Sequence, residues 1–169
     1  EIKINLSVRD LWVVECNFKE AGAFVAEHHY THSVKGMTPK YCFKVIHKNS
    51  KEILGAAIFG IPGQVQTTQK YSDNGKISLV ELRRLVLVEE APKNSETRVL
   101  GAMLRELKKA GIQRILSYAD PNEKRANHPD GKHTGLIYRA AGFHLVKEAG
   151  KTKAIWWNNR RYPIRNIDQ

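Results

Sequence analysis

The chain has 169 residues, 41% of them hydrophobic, which suits one domain with a real core. No apolar run approaches the roughly 20 residues a membrane-spanning helix needs, and the start, Glu1-Ile2-Lys3-Ile4-Asn5, lacks a signal-peptide pattern. Lys and Arg total 28 against 17 acids, a net charge of +11 that favours a polyanionic partner, nucleic acid first, although anionic cofactors also prefer positive sites.

In chain order, Ile2 to Val8 alternates apolar and polar residues and predicts a strand, with Leu11 to Glu15 a second. Lys19 to His29 predicts a helix with Ala21, Phe24, Val25 and His28 on one face. After a loop through Gly36 and Pro39, Tyr41 to His47 and Ile53 to Gly60 read as an antiparallel pair about the turn Lys48-Asn49-Ser50-Lys51. The polar stretch Gln64 to Lys76 reads as a surface loop, and Ile77 to Val88 resumes a β pattern. Pro92-Lys93-Asn94-Ser95 introduces a helix from Glu96 to Ala110, capped by Asn94 or Ser95, with Val99, Leu100, Met103, Leu104 and Leu107 turned inward. Gly111 ends it, and Arg114 to Asp120 is the next strand. A polar loop leads to a short helix around Tyr138, stopped by Gly142 in the left-handed position, with strands near His144 to Glu148 and Ala154 to Asn158. Antiparallel strands followed by strand-helix-strand-helix-strand give an α/β class, a mixed sheet flanked by helices, in one domain over residues 1–169. Cys16 and Cys42 lie far apart in the chain and fit buried free thiols better than a disulfide or a zinc site.

Several residues carry chemistry. Asp120 ends a strand at the edge where α/β active sites gather, and a carboxylate there can orient an amine or take its proton; before Pro121 it also fits an ordinary turn. His29 and Tyr30 close a helix and can face the same cleft, although a histidine there also complements the helix dipole. Tyr138 either points its hydroxyl into a cleft or only packs. Asn94 and Ser95 sit at a helix N-terminus suited to phosphate, or simply cap it. His28, His29 and His32 invite a metal such as iron, but adjacent helical positions point apart, so the spacing does not support one. At the C-terminal end Trp156-Trp157-Asn158-Asn159-Arg160-Arg161-Tyr162-Pro163-Ile164-Arg165 mixes aromatics with arginines. Arg160, Arg161 and Arg165 are candidates for DNA contact, with Lys132 of the loop 121–132; the plainer reading is a final hairpin turning at Asn158-Asn159.

The segment His133-Thr134-Gly135-Leu136-Ile137-Tyr138-Arg139-Ala140-Ala141-Gly142-Phe143 resembles the tyrosine-helix-Gly-Phe signature of GCN5-related acyltransferases, in which the tyrosine protonates the departing coenzyme A thiolate. Those enzymes hold the cofactor pyrophosphate on closely spaced glycines; here Lys93-Asn94-Ser95-Glu96-Thr97-Arg98 has none and adds an anion. A closer resemblance is to the Mom family of phage DNA-modification proteins. It rests on His29-Tyr30-Thr31-His32-Ser33, on Leu54-Gly55-Ala56-Ala57-Ile58-Phe59-Gly60-Ile61-Pro62 and on Glu81-Leu82-Arg83-Arg84-Leu85-Val86-Leu87. Pro92-Lys93-Asn94-Ser95-Glu96, Ser117-Tyr118-Ala119-Asp120 and His133-Thr134-Gly135-Leu136-Ile137-Tyr138 continue it in order. The loop 121–132 is longer and more basic than the family leads one to expect.

That resemblance implies an acyltransferase-like fold and conversion of adenine in duplex DNA to an N6-carbamoylmethyl form. It places the work in the cytoplasm of the infected bacterial host, shielding phage DNA from restriction. The family's active positions fall on His29, Tyr30, Arg84, Ser95, Asp120 and Tyr138. Asp120 would hold or deprotonate the amine, Tyr30 and Tyr138 would stand at the reacting centre, His29 would position Tyr30, and Asn94, Ser95 and Arg84 would hold the group donor. Arg83 and Arg84 are expected to face opposite ways, with only Arg84 toward the cleft. Acetyl-coenzyme A, a glycyl donor and a metal-assisted route stay open. The alternatives are an acyl-coenzyme A-dependent acyltransferase acting on a small amine or a protein, and a DNA-binding module without catalysis.

Overall fold

The computed structural model describes residues 6–29, 31–119 and 136–146, with the backbone of two further strands. A 3-10 turn, Val8–Asp10, leads into β1 (Leu11–Cys16), α1 (Phe18–His28), β2 (Pro39–His47) and β3 (Ile53–Gly60). There follow α2 (Val65–Tyr71), β4 (Leu79–Leu87), α3 (Ser95–Lys109), β5 (Arg114–Leu116) and α4 (Leu136–Ala140), and the added strands are β6 (Ala154–Trp157) and β7 (Arg160–Pro163). The first five strands form one sheet in chain order, and β6 and β7 pair antiparallel as a separate ribbon joined through Asn158 and Asn159. Strands β1 to β4 are antiparallel neighbours, while β5 lies parallel to β4 because α3 carries the chain across the sheet.

The sheet is covered on both sides. On one face Phe43, Val45, Ala57, Phe59, Val80 and Leu82 pack with Val99, Leu100, Met103 and Leu107 of α3. On the other, Cys42, Ala56 and Ile58 meet Ala21 and Val25 of α1. This double cover explains the unbroken apolar run of β3, which is buried from Leu54 to Gly60. Each large side chain enclosed there contributes about 1.5–3 kcal/mol. The start of α1 is closed by a reciprocal pair: the Glu20 amide donates to Asn17 Oδ1 (2.9 Å) and the Asn17 amide to Glu20 Oε2 (3.4 Å). Glu20 also accepts from Lys44 Nζ at 2.9 Å, tying α1 to β2.

Four expectations change. Val8 belongs to the 3-10 turn and Leu6 and Ser7 form no strand, while residues 2–5 of the expected first strand lie outside those described. The polar stretch after Gln64 holds α2; it buries no residue, so no apolar stripe announces it. It stops where Asp73, Asn74 and Gly75 take left-handed backbone and Arg114 donates to the Tyr71 carbonyl at 2.7 Å. Strand β5 ends at Leu116 instead of running to Asp120, and residues 143–146 are not a strand. Cys16 and Cys42, remote in sequence, are register partners across β1 and β2, and both thiols are free.

Candidate functional site

Strands β4 and β5 pair only from Leu79↔Arg114 to Glu81↔Leu116, whereas β4 runs on to Leu87. Beyond Glu81 the two part, and the sheet opens. On its other edge β4 slips register against β3, with Ile58 opposite Arg84 but Phe59 opposite Leu82, so Arg83 is the extra residue of a bulge. The bulge overrides the expected alternation of the two arginines. Arg84 shares a cross-strand position with Ile58, on the α1 side, and its Nε donates to the Ser33 carbonyl (3.3 Å) while Nη1 donates to the Arg83 carbonyl (2.7 Å). Arg83 turns back along its own strand, and its Nη1 donates to Glu81 Oε1 at 3.1 Å.

The Glu81–Arg83 pair escaped the sequence reading, although a glutamate two places before an arginine in a strand shares its face and was there to be seen. Glu81 is 7% exposed. Gly63 faces the guanidinium closely enough that a Cβ would stand 2.9 Å from Nη1. Among the described residues, two polar atoms near where β4 and β5 part are shut off from water with no hydrogen-bond partner, Arg83 Nε and Ser117 Oγ, Ser117 following β5 directly. Leaving such a group unpaired costs about 1–3 kcal/mol, so the arrangement is not one that stability alone would select.

On the α1 side, His29 is buried at the C-cap of α1. Its Nδ1 accepts the Thr31 backbone N–H (3.2 Å) and lies 2.9 Å from the Thr31 hydroxyl. A backbone N–H can only donate, so the neutral ring carries its proton on Nε2. His32 has the opposite tautomer, since its Nδ1 lies 3.0 Å from the Ala26 carbonyl, which only accepts. His28 stacks on Phe24, with centroids 4.2 Å apart. The three histidines therefore turn to different partners, and among the described residues no group of three or more metal-ligating side chains comes together.

On the α3 side, Tyr138 packs against the core with Phe143. The Phe143 amide donates to the Tyr138 carbonyl (2.9 Å) and the Gly142 amide to the Arg139 carbonyl (3.0 Å), with Gly142 at φ +90. This paired closure puts Phe143 over Tyr138, ring centroids 5.7 Å apart, and Gly142 takes the left-handed position the sequence led one to expect. His29 and Arg84 thus lie toward one face of the sheet and Tyr138 toward the other.

The start of α3 departs from expectation. Asn94 holds the N-cap position in left-handed backbone, φ 69, and its side chain makes no capping hydrogen bond. Ser95 is fully buried and its hydroxyl donates to the Pro92 carbonyl. The first turn adds Glu96, an anion at the helix end that would otherwise attract phosphate. These residues do not form a pyrophosphate cradle. Tyr30, Asp120, Lys132 and Arg165 lie outside the described residues; Arg160 and Arg161 are placed in β7 opposite Trp157 and Trp156.

No curated protein matches the chain. Solved structures do. An integron cassette protein from the mobile metagenome of V. cholerae superposes with a TM-score of 0.53 at 12% identity, covering 95% of this chain and 98% of its own. A possible acetyltransferase from Clostridium difficile 630 gives 0.50 at 6%, covering 86% and 97%. An aminoglycoside acetyltransferase from an uncultured soil metagenomic sample, in complex with sisomicin, gives 0.49 at 10%, covering 86% and 98%. At such identities the first two likenesses speak for the fold alone, a mixed five-stranded sheet with helices on both faces, shared with a possible acetyltransferase. The family assignment comes from the sequence itself: the Mom protein family model matches residues 10–163, nearly the whole chain, and the protein belongs to that family.

Proposed function

We infer that this protein is a transferase that modifies the N6 amine of adenine in double-stranded DNA, giving the carbamoylmethyl derivative and acting in the cytoplasm of an infected bacterium. The observation that carries this reading is the family match over residues 10–163 on an acetyltransferase-like fold. The excess of 28 basic over 17 acidic residues supports a DNA partner.

Adenine's amine is a weak nucleophile because its lone pair is delocalised into the ring. Reaction requires close placement, a proton acceptor and an extruded base. Asp120 is proposed to hold or deprotonate the amine, with Tyr30 and Tyr138 at the reacting centre. His29, with its proton on Nε2, is suited to hold a partner as a donor rather than to take a proton first. Arg84, hydrogen-bonded to the segment after α1, binds β4 to the histidine end of the site. Arg160, Arg161, Arg165 and Lys132 are proposed to contact the phosphates.

An acyl-coenzyme A-dependent enzyme acting on a small amine or a protein would have the same fold, but Glu96 and the glycine-free start of α3 oppose it. The group donor stays open between acetyl-coenzyme A, a glycyl donor and a metal-assisted route. DNA from expressing cells should resist restriction enzymes whose sites contain adenine and stay sensitive to those with only G·C pairs. Equal sensitivity to both classes at good expression would overturn the reading.

A further inference from the structure

We propose that Glu81 and Arg83 form a donor–acceptor pair that reads the Watson–Crick edge of the extruded adenine, an inference that rests on the DNA-modification reading above. The pair stands where β5 leaves β4, at the bulge that makes Arg83 an extra residue. One bond, Arg83 Nη1 to Glu81 Oε1 at 3.1 Å, joins them. Among the described residues Glu81 Oε2 and Arg83 Nη2 make no hydrogen bond, and neither is closed off from water as Arg83 Nε is. The side chains of Glu81 and Arg83 are 9% and 18% exposed, so the pair is nearly enclosed but not sealed from water. Gly63, without a side chain, leaves the room that the guanidinium occupies.

A fixed carboxylate oxygen beside a fixed guanidinium offers one acceptor and one donor. Adenine presents the complement: the N6 amine donates and N1 accepts. Glu81 Oε2 would take an N6–H and Arg83 Nη2 would give to N1, the kind of edge contact by which flipped bases are read. Tyr118, two residues past the partner of Glu81 on β5, is 56% exposed and supplies an aromatic face for stacking. Nothing in this scheme requires the pair to move a proton, so it is a specificity device beside the reacting groups.

The test uses fluorescently labelled duplexes with the target base opposite an abasic site, which eases extrusion. The targets are adenine, 1-deazaadenine, which lacks the N1 acceptor, and unsubstituted purine, which lacks the amine. Wild-type protein should bind the adenine duplex about tenfold more tightly than either analogue, the scale of one good bidentate base contact. The double variant Glu81→Leu with Arg83→Met replaces a buried ion pair by apolar groups of similar size, a change folds often tolerate, and should bind the three duplexes alike. Should its far-UV circular dichroism be lost, Arg83→Lys keeps the charge facing Glu81 but not the fork, and the same ratio is read. Equal wild-type affinities, or a variant that keeps the preference, would overturn the proposal. If wild type also modifies adenine in cells, the function stands and only the pair's role falls. A clear preference without any modified base would instead leave the pair and remove the proposed reaction.

Discussion

At the scale of single residues, Tyr138 and Asp120 carry the sharpest expectations. Tyr138→Phe and Asp120→Ala should each lower adenine modification at least about tenfold, the lower range for a general acid or base being roughly a hundredfold, with circular dichroism unchanged. Near-normal modification in both would remove them from the chemistry. The thiols are a second case. Burial, and then the facing Cys16, raises the Cys42 thiol to about 11 from an ordinary 9.0. The native thiol stays protonated where the unfolded one ionises, so the stability it contributes is full below pH 9.0 and is lost as pH rises toward 11. Urea midpoints should fall across that window, and Cys42→Ala should flatten the fall; an equal decline in both proteins would contradict this. The left-handed stop at Gly142 after the tyrosine helix was legible, because glycine takes that backbone without steric cost. The spacing of Glu81 and Arg83 was legible, but the bulge beside them, set by the neighbouring strand, was not.

At the scale of elements, legibility followed burial. Strand β3 and the inner stripe of α3 were plain because both are enclosed, while α2 was missed because none of its residues is buried. Strand β5 stops short because its partner diverges, a fact about β4 that residues 114–120 do not contain. The cap of α3 failed for a backbone reason: in left-handed conformation the Asn94 side chain makes no capping bond, whereas Asn17, at φ -80 and ψ 163, caps α1. Asn17→Ala should therefore cost about 1 kcal/mol in chemical denaturation and Asn94→Ala much less. Equal losses would contradict the two geometries. The hydrogen bond from Lys44, and then that from the Asn17 amide, hold the Glu20 carboxyl below its ordinary 4.5. Its contribution is present above that value and fades as pH falls through the lowered one. The acid limb of the stability curve should accordingly be shallower in Glu20→Gln.

For the whole molecule, the mixed sheet flanked by helices was readable from the sequence, but the order of its five strands and the parting of β4 from β5 were not. His29 closes α1, Arg84 lies in β4 and Tyr138 in α4, so only the sheet relates them. The charge of +11 makes a prediction at this scale: duplex binding should weaken steeply with salt, because bound lysines and arginines release counterions. Replacing Arg160, Arg161 and Arg165 by alanine should flatten that dependence by roughly one unit of slope per lost phosphate contact. An unchanged slope would move the DNA surface elsewhere, the loop 121–132 with Lys124, Arg125 and Lys132 being next. The central claim is the adenine product, and mass spectrometry of nucleosides digested from the DNA of expressing bacteria tests it most directly. A deoxyadenosine heavier by one carbamoylmethyl group is expected, present with wild-type protein and absent with Asp120→Ala. Four unmodified nucleosides at good expression, with the group donor present, would contradict it.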